Sequence, residues 1–327
     1  MNSYLPEGNT RLRIAKYPIL STISSEIGFA KKCLIGASVY RSTFTHIRNE
    51  EILNSQTYNF GVSKVIMTKN SPYFLESMNA MQIRRKVDEN TVAVLIFGAC
   101  ENHGDHMPFG SDFIFPLEIA ERVAKMAENV IVLPAVPYGV SLHHNGFQMT
   151  LSLQSDTLVK IITDIFNSLI SNKIIRILII NGHDGNIGPI EDAARSIKDL
   201  YPEVTICCLE SWWTLVGQIR KNLFDIWDGL GHGGEAETSA MLAVRPDLVD
   251  MNLAPSETIP KLPTNVRIYW NFDELTRTGT TGSPRNASIE KGNAVLETIE
   301  SVLLSLMQEM DQNNWKYGIN VNQDKTK

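Results

Sequence analysis

Long apolar runs, a basic excess and paired cysteines are all missing from this 327-residue sequence. No segment stays apolar for the roughly 18 residues that crossing a bilayer requires, so no membrane partner is expected. The opening stretch MNSYLPEGNTRLRIAKYPIL lacks the continuous apolar core of a signal peptide. The formal net charge is −6, spread along the chain, so no basic stripe suits a nucleic-acid polyanion. The four cysteines (Cys33, Cys100, Cys207, Cys208) form no disulfide framework and read as buried free thiols of a reducing cytoplasm. No G-x-G-x-x-G follows the first strong strand, which disfavours a nucleotide-binding oxidoreductase.

What is present is an alternation. TVAVLIFG (91–98) is a continuous β-branched and apolar run, the mark of a strand covered on both faces. Helical spacing follows over 112–129, with Asp112 able to cap it. A second strand is expected at 130–136, a helix opened by Ser155 at 155–172, and a third strand at 175–182. A helix over 190–201 and a fourth strand over 204–210 continue the rhythm. Residues 235–244 look helical, and 288–310 form a long amphipathic closing helix. Strands alternating with helices predict an α/β fold, a mostly parallel sheet with helices on both faces. Residues 1–70 break this rhythm and are taken as an N-terminal extension packed on the core or used in subunit contacts. Residues 71–315 form the domain, and 316–327 a frayed tail.

Six of the seven histidines fall in four short polar stretches. In a parallel α/β sheet, ligands bind beyond the carboxyl ends of the strands, which is where these stretches lie. ENHGDHMPFGSD brings Glu101, His103, Asp105, His106 and Asp112 after the first strand. PYGVSLHHNGF brings Tyr138, His143 and His144 after the second, and NGHDGN brings His183 and Asp184 after the third. Glu210, Trp212 and Trp213 follow the fourth, and GHGGEAETS adds His232, Glu235 and Glu237. Each stretch alone fits a solvated loop, and the tryptophans fit a core as well as a substrate platform. Gathered on one rim, imidazoles and carboxylates suit a borderline divalent ion such as zinc or manganese, with Fe2+ also compatible. Glu101 and His103, two apart on extended backbone, point the same way. Asp112 could bridge two ions about 3.5–4 Å apart that share a water. Tyr138, His144 and Trp213 are the candidates to face substrate.

These motifs resemble the creatininase, or creatinine amidohydrolase, family. Its G-x-x-E-x-H-G-x-H-x-P-x-x-x-D, Y-G-x-S-x-x-H, N-G-H-x-x-N and H-x-G-x-x-E-T-S segments stand here, in order, as GACENHGDHMPFGSD, YGVSLHH, NGHDGN and HGGEAETS. The resemblance implies a single-domain creatininase-like fold and a metal-dependent hydrolase of non-peptide C–N bonds. The substrate is then a small cyclic amide or a formamide, and the assembly a homo-oligomer, usually a hexamer. By carry-over, Glu101, His103, Asp112 and His183 are metal ligands, with two ions per chain and Asp112 bridging. His232 transfers a proton, and Glu237 is a further ligand or the base that orients the water. The family's glutamate two positions past the N-G-H histidine is here Gly185, so another carboxylate must serve: Glu237 first, Asp184 as fallback. The family's F-P-G-T reads FQMT (147–150), and a tryptophan before the last histidine is replaced by Asp228. Two other readings stand beside this one: a creatininase-like peptidase acting on a small modified peptide, and a metal-binding scaffold without catalysis.

Overall fold

The computed structural model describes residues 72–127, 129–255 and 268–318. The proposed extension at 1–70 lies outside these, as does all but the start of the tail.

Four parallel strands form the sheet: β1 (Val92–Phe97), β2 (Val130–Val132), β3 (Arg176–Asn181) and β4 (Thr205–Leu209), in the order β2-β1-β3-β4. The central strands pair in register from Val92 opposite Arg176 to Phe97 opposite Asn181. Because side chains alternate across a strand, β1 feeds two separate cores. Val92, Val94 and Ile96 pack under α2 (Ser111–Met126), α5 (Trp212–Ile219), α6 (Glu235–Val244) and α7 (Ile289–Gln312). Ala93, Leu95 and Phe97 pack under α3 (Ser155–Ser171) and α4 (Ile187–Leu200). All six β1 residues are buried, as the continuous apolar run predicts. A short helix, α1 (Ala80–Lys86), precedes β1; its Asn79–Gln82 capping box was not recognised in the sequence.

Three local expectations differ from the structure. The second strand is shorter than expected and closes at Val132; the Leu133 N–H still reaches the Val94 carbonyl at 2.9 Å, and the next bond to β1 comes three residues later, from the Val136 N–H to the Ile96 carbonyl at 2.9 Å. Asp112 is not the cap of its helix. Gly110 holds that place, and Asp112 lies in the first turn. The three described cysteines are less buried than expected: among the described residues β4 is an edge strand, with Cys208 exposed and Cys207 half-buried, and Cys100 is half-buried as well; Cys33 lies outside the described residues. Among the described residues no helix is long and apolar enough to cross a membrane.

Candidate metal centre at the strand ends

Asp112 is aimed by its backbone. Its carbonyl would normally accept from the residue four later, but that residue is Pro116, which has no donor. The first turn of α2 can therefore press directly on the ends of two strands. Added Cβ atoms on Gly98 and Gly182 would lie 2.6 and 1.8 Å from the Asp112 carbonyl oxygen, so only glycine fits at either place. The Asp112 carboxylate consequently reaches both the β1 loop and the β3 loop. One oxygen lies 2.9 Å from His103 Nε2 and the other 3.2 Å from His183 Nδ1.

Three histidines show the same orientation. His103 Nδ1 donates to the Glu101 carbonyl at 3.1 Å, His183 Nε2 to the Val140 carbonyl at 3.0 Å, and His232 Nε2 to the Asn102 carbonyl at 2.6 Å. A carbonyl only accepts, so each outer nitrogen carries the hydrogen and each inner nitrogen faces the carboxylates. Such outer hydrogen bonds fix ring orientation at metal centres. Glu101 Oε1 is 3.3 Å from His183 Nδ1, 3.6 Å from His232 Nδ1 and 3.7 Å from His144 Nε2.

The donors fall into overlapping groups: Glu101, Asp112 and His183; His103, Asp112 and Glu237; and Glu101, His103 and His232. Glu101 and His103 are wholly buried, and Asp112 and His183 nearly so. Both Glu101 oxygens, Asp112 Oδ2 and both His144 nitrogens are buried without a hydrogen-bond partner among the described residues. Buried polar atoms are normally paired, so this set fits a cation that completes it.

The electrostatics agree. Burial alone would lower the His103 pKa, but the Asp112 charge and hydrogen bond outweigh it and hold the ring at about 10. Burial works against His183 too, yet Glu101 and then Asp112 raise it well above its usual value. Without a cation, these inner nitrogens hold protons that a metal would replace. Glu237 is pushed up to about 7, mainly by burial, while its Oε2 accepts from the Gly233 N–H at 2.6 Å. His232 is lowered to about 4 by burial and then by the neighbouring His103. Burial and then His232 push His144 far down as well, so both rings are neutral.

Glu101, His103, Asp112, His183, His232, Glu237 and His144 thus come together. Asp184 does not: it is exposed at the start of a 3-10 turn and joins none of the donor groups among the described residues. The fallback ligand is corrected on that ground. Tyr138 is 46% exposed on the outer loop. Trp213 packs edge to face on Trp212 against the apolar core. Gly185, the place of the family's glutamate, has no room for a side chain; a Cβ would lie 2.1 Å from the Val140 carbonyl oxygen.

Other parts of the motifs serve as supports. His106 Nε2 donates to Thr238 Oγ1 at 2.9 Å, and that hydroxyl donates to the Gly233 carbonyl at 3.1 Å, tying the β1 loop to the turn that holds Glu237. Glu235, buried at the start of α6, accepts the Asp225 and Ile226 N–H groups and pairs with Lys291 of α7. Phe272 belongs to no motif in the sequence, yet its ring lies 4.0 Å from that of His144.

The family profile described as creatinine amidohydrolase matches residues 76–307. The creatinine amidohydrolase of Pseudomonas putida is 29% identical over 233 residues, covering 67% of this chain and 89% of its own. The mycofactocin precursor peptide peptidase of Mycolicibacterium smegmatis is 27% identical over 210 residues, 61% of this chain and 76% of its own. A solved creatininase of Zn–Zn type, a glutamate-to-glutamine variant, superposes with a TM-score of 0.63 at 28% identity, covering 73% of this chain and 98% of its own. The parallel sheet, the ordered motifs and these matches lead to one assignment: the chain belongs to the creatinine amidohydrolase (creatininase) family of hydrolases acting on C–N bonds.

Proposed function

We propose that this chain hydrolyses the amide C–N bond of a small cyclic amide or a formamide, with two divalent ions per chain. Glu101, Asp112 and His183 would hold one ion and His103, Asp112 and Glu237 the other, with Asp112 shared. The observation that carries this reading is Asp112 itself, whose two oxygens serve two histidines from different strands. Imidazole and carboxylate donors without thiolate suit zinc or manganese. Bound, such ions lower the pKa of water and polarise a carbonyl.

The chain's own groups would move the protons. Glu237, anchored through one oxygen by the Gly233 N–H, is the carboxylate that would orient the attacking water and take its proton. His232 holds its outer Nε2–H on Asn102, so the bare Nδ1 is the atom that would first take a proton, the one released by the attacking water, and then pass it to the departing nitrogen. Water adds to the carbonyl carbon, the C–N bond breaks, and a carboxylic acid and an amine result. His144 lines the same space and faces the substrate; Tyr138 stands further out at the rim.

We read the enzyme as a cytoplasmic homo-oligomer, a hexamer by family pattern. A small-molecule substrate, without nucleic-acid or membrane partners, suits its net charge of −6. Elemental analysis of the purified protein, then a hydrolysis screen over cyclic amides, formamides and short peptides, tests the function. Two ions per chain with ring opening or formate release is expected. Full activity in metal-free protein refutes it.

A further inference from the structure

The Phe272 ring touches two of the histidines gathered around Glu101, His144 and His232, and also the neighbouring His143. It stacks on His144 at 4.0 Å between centroids and 29°, meets His232 edge-on at 5.2 Å, and lies 5.5 Å from His143. A benzene ring can neither ligate an ion nor carry a proton. What it does is occupy space and exclude water. Beneath it, His144 is wholly buried, with Nε2 turned 3.7 Å from Glu101 Oε1. The ring therefore covers an imidazole whose polar edge faces the reaction centre.

Its position is fixed from outside. The Asn271 N–H donates to Glu274 Oε2 at 2.7 Å, and the Glu274 N–H returns to the Asn271 carbonyl at 3.0 Å. The Thr276 N–H closes the turn on the Phe272 carbonyl at 3.0 Å. Asp273 presses on Gly146, where an added Cβ would lie 2.2 Å from the Asp273 Cγ. Through that contact the turn is keyed to the loop that carries His144. The ring cannot shift far unless the turn or the loop moves with it.

We propose that Phe272 is a specificity-determining residue of this centre. It forms an aromatic ceiling that admits compact, flat amide-bearing groups and turns away bulky substituents on the side of His144 and His232. Rings in mutual contact leave no slot for a branched substituent, whereas a compact group needs only the space beside Glu101. The inference rests on the metal-hydrolase reading above. A ring that merely shielded the histidines from water would affect stability without changing selectivity.

The test uses wild type, Phe272→Ala, Phe272→Leu and Phe272→Trp, each loaded with zinc. Titration calorimetry measures binding of acetohydroxamate and benzohydroxamate, small and bulky metal-seeking probes. The affinity ratio of bulky to small probe should rise by about tenfold or more in Phe272→Ala, the scale of a methylene-sized change in a pocket. It should rise less in Phe272→Leu and fall in Phe272→Trp. A ratio unchanged across the four proteins overturns the proposal, as does an equal loss of both affinities. Zinc content of the same samples reports separately on the metal reading. In zinc-free protein, ethoxyformylation of His144 and His232 followed by mass spectrometry gives a second readout. Faster modification in Phe272→Ala together with the raised affinity ratio supports the ceiling; faster modification with an unchanged ratio means shielding alone and overturns it, as do equal rates.

Discussion

Replacing Asp112 by alanine perturbs both proposed metal positions at once, and its effect can be worked out before any metal is added. In the metal-free protein Asp112 and His103 form a buried pair at 2.9 Å. Removing one partner of such a pair costs about 3–5 kcal/mol because the other charge is left buried alone. For a domain of this size that is about 6–20 °C in Tm. The signs set a pH window. His103 is raised to about 10, so its stabilising proton is fully present below about 6.5 and is lost as pH climbs through about 10. Burial would raise Asp112, but pairing with His103 lowers it, so its contribution is present above about 3.8 and fades as pH falls below that. The Tm gap between wild type and Asp112→Ala should therefore be widest near pH 5–6.5 and close towards pH 10. Zinc or manganese at about 100 times Kd should then add about 2.7 kcal/mol per bound ion to wild type and nothing comparable to the variant. Scanning calorimetry with and without chelator, over pH 5–10, reads both effects. A gap that does not narrow above pH 6.5, or a variant that still holds two ions, refutes the reasoning.

Glu237→Gln should leave one ion of two by elemental analysis and lower kcat severely, while Asp184→Asn should leave metal content and kcat unchanged, because Asp184 is exposed. Gly185→Glu, which restores the family's residue, should not restore a ligand. With Val140 O 2.1 Å from the new Cβ, it should lower Tm by at least the equivalent of about 1–3 kcal/mol of overpacking. Metal uptake should strengthen with pH between about 6.5 and 10, since the ion must displace the His103 proton; competition titrations with a chelating dye check this, and a flat profile counts against His103 as a ligand. Met149 holds φ +65° where the family pattern has glycine, so Met149→Gly should raise Tm slightly, relief of a backbone cost of about 1–2 kcal/mol partly offset by glycine's unfolded-state entropy.

The sheet was legible because a parallel strand buried on both faces has a strong signature. Val92–Phe97 and Arg176–Asn181 fall inside the apolar runs that announced them. Motif order then placed Glu101, His103, Asp112 and His183 on one rim, since the strand ends are where loops meet in this architecture. What composition cannot convey is local backbone accounting. That β2 closes at Val132, or that Pro116 frees the Asp112 carbonyl to sit on two glycines, follows from where N–H groups point. Trp213 was ambiguous because a tryptophan pair after a strand looks alike whether it packs inwards or faces a crevice. Phe272 was invisible for the opposite reason. Nothing in NFDEL distinguishes a ring that will lie over histidines contributed by two other loops.

The relocated carboxylate follows from the same accounting. A glutamate at position 185 would have to leave the tight turn after β3, where the Val140 carbonyl both accepts from His183 and fills the space of a Cβ. That hydrogen bond turns His183 Nδ1 inwards, so a bulkier residue there would disturb an oriented imidazole. Glu237 reaches the centre from the first turn of α6, where the helix dipole favours a carboxylate and the Gly233 N–H holds one oxygen. Yet burial still drives it up to about 7, and Glu101 and Asp112 add repulsion. Three carboxylates meet here, and both Glu101 oxygens and one of Asp112's lack hydrogen-bond partners. Protonated His103 and His183 offset them only in part. A cation held by Asp112, Glu237 and the inward histidine nitrogens would relieve this repulsion and return Glu237 to its charged form. On the proposed reading, Glu237 would supply from a different element the ligand that Gly185 cannot.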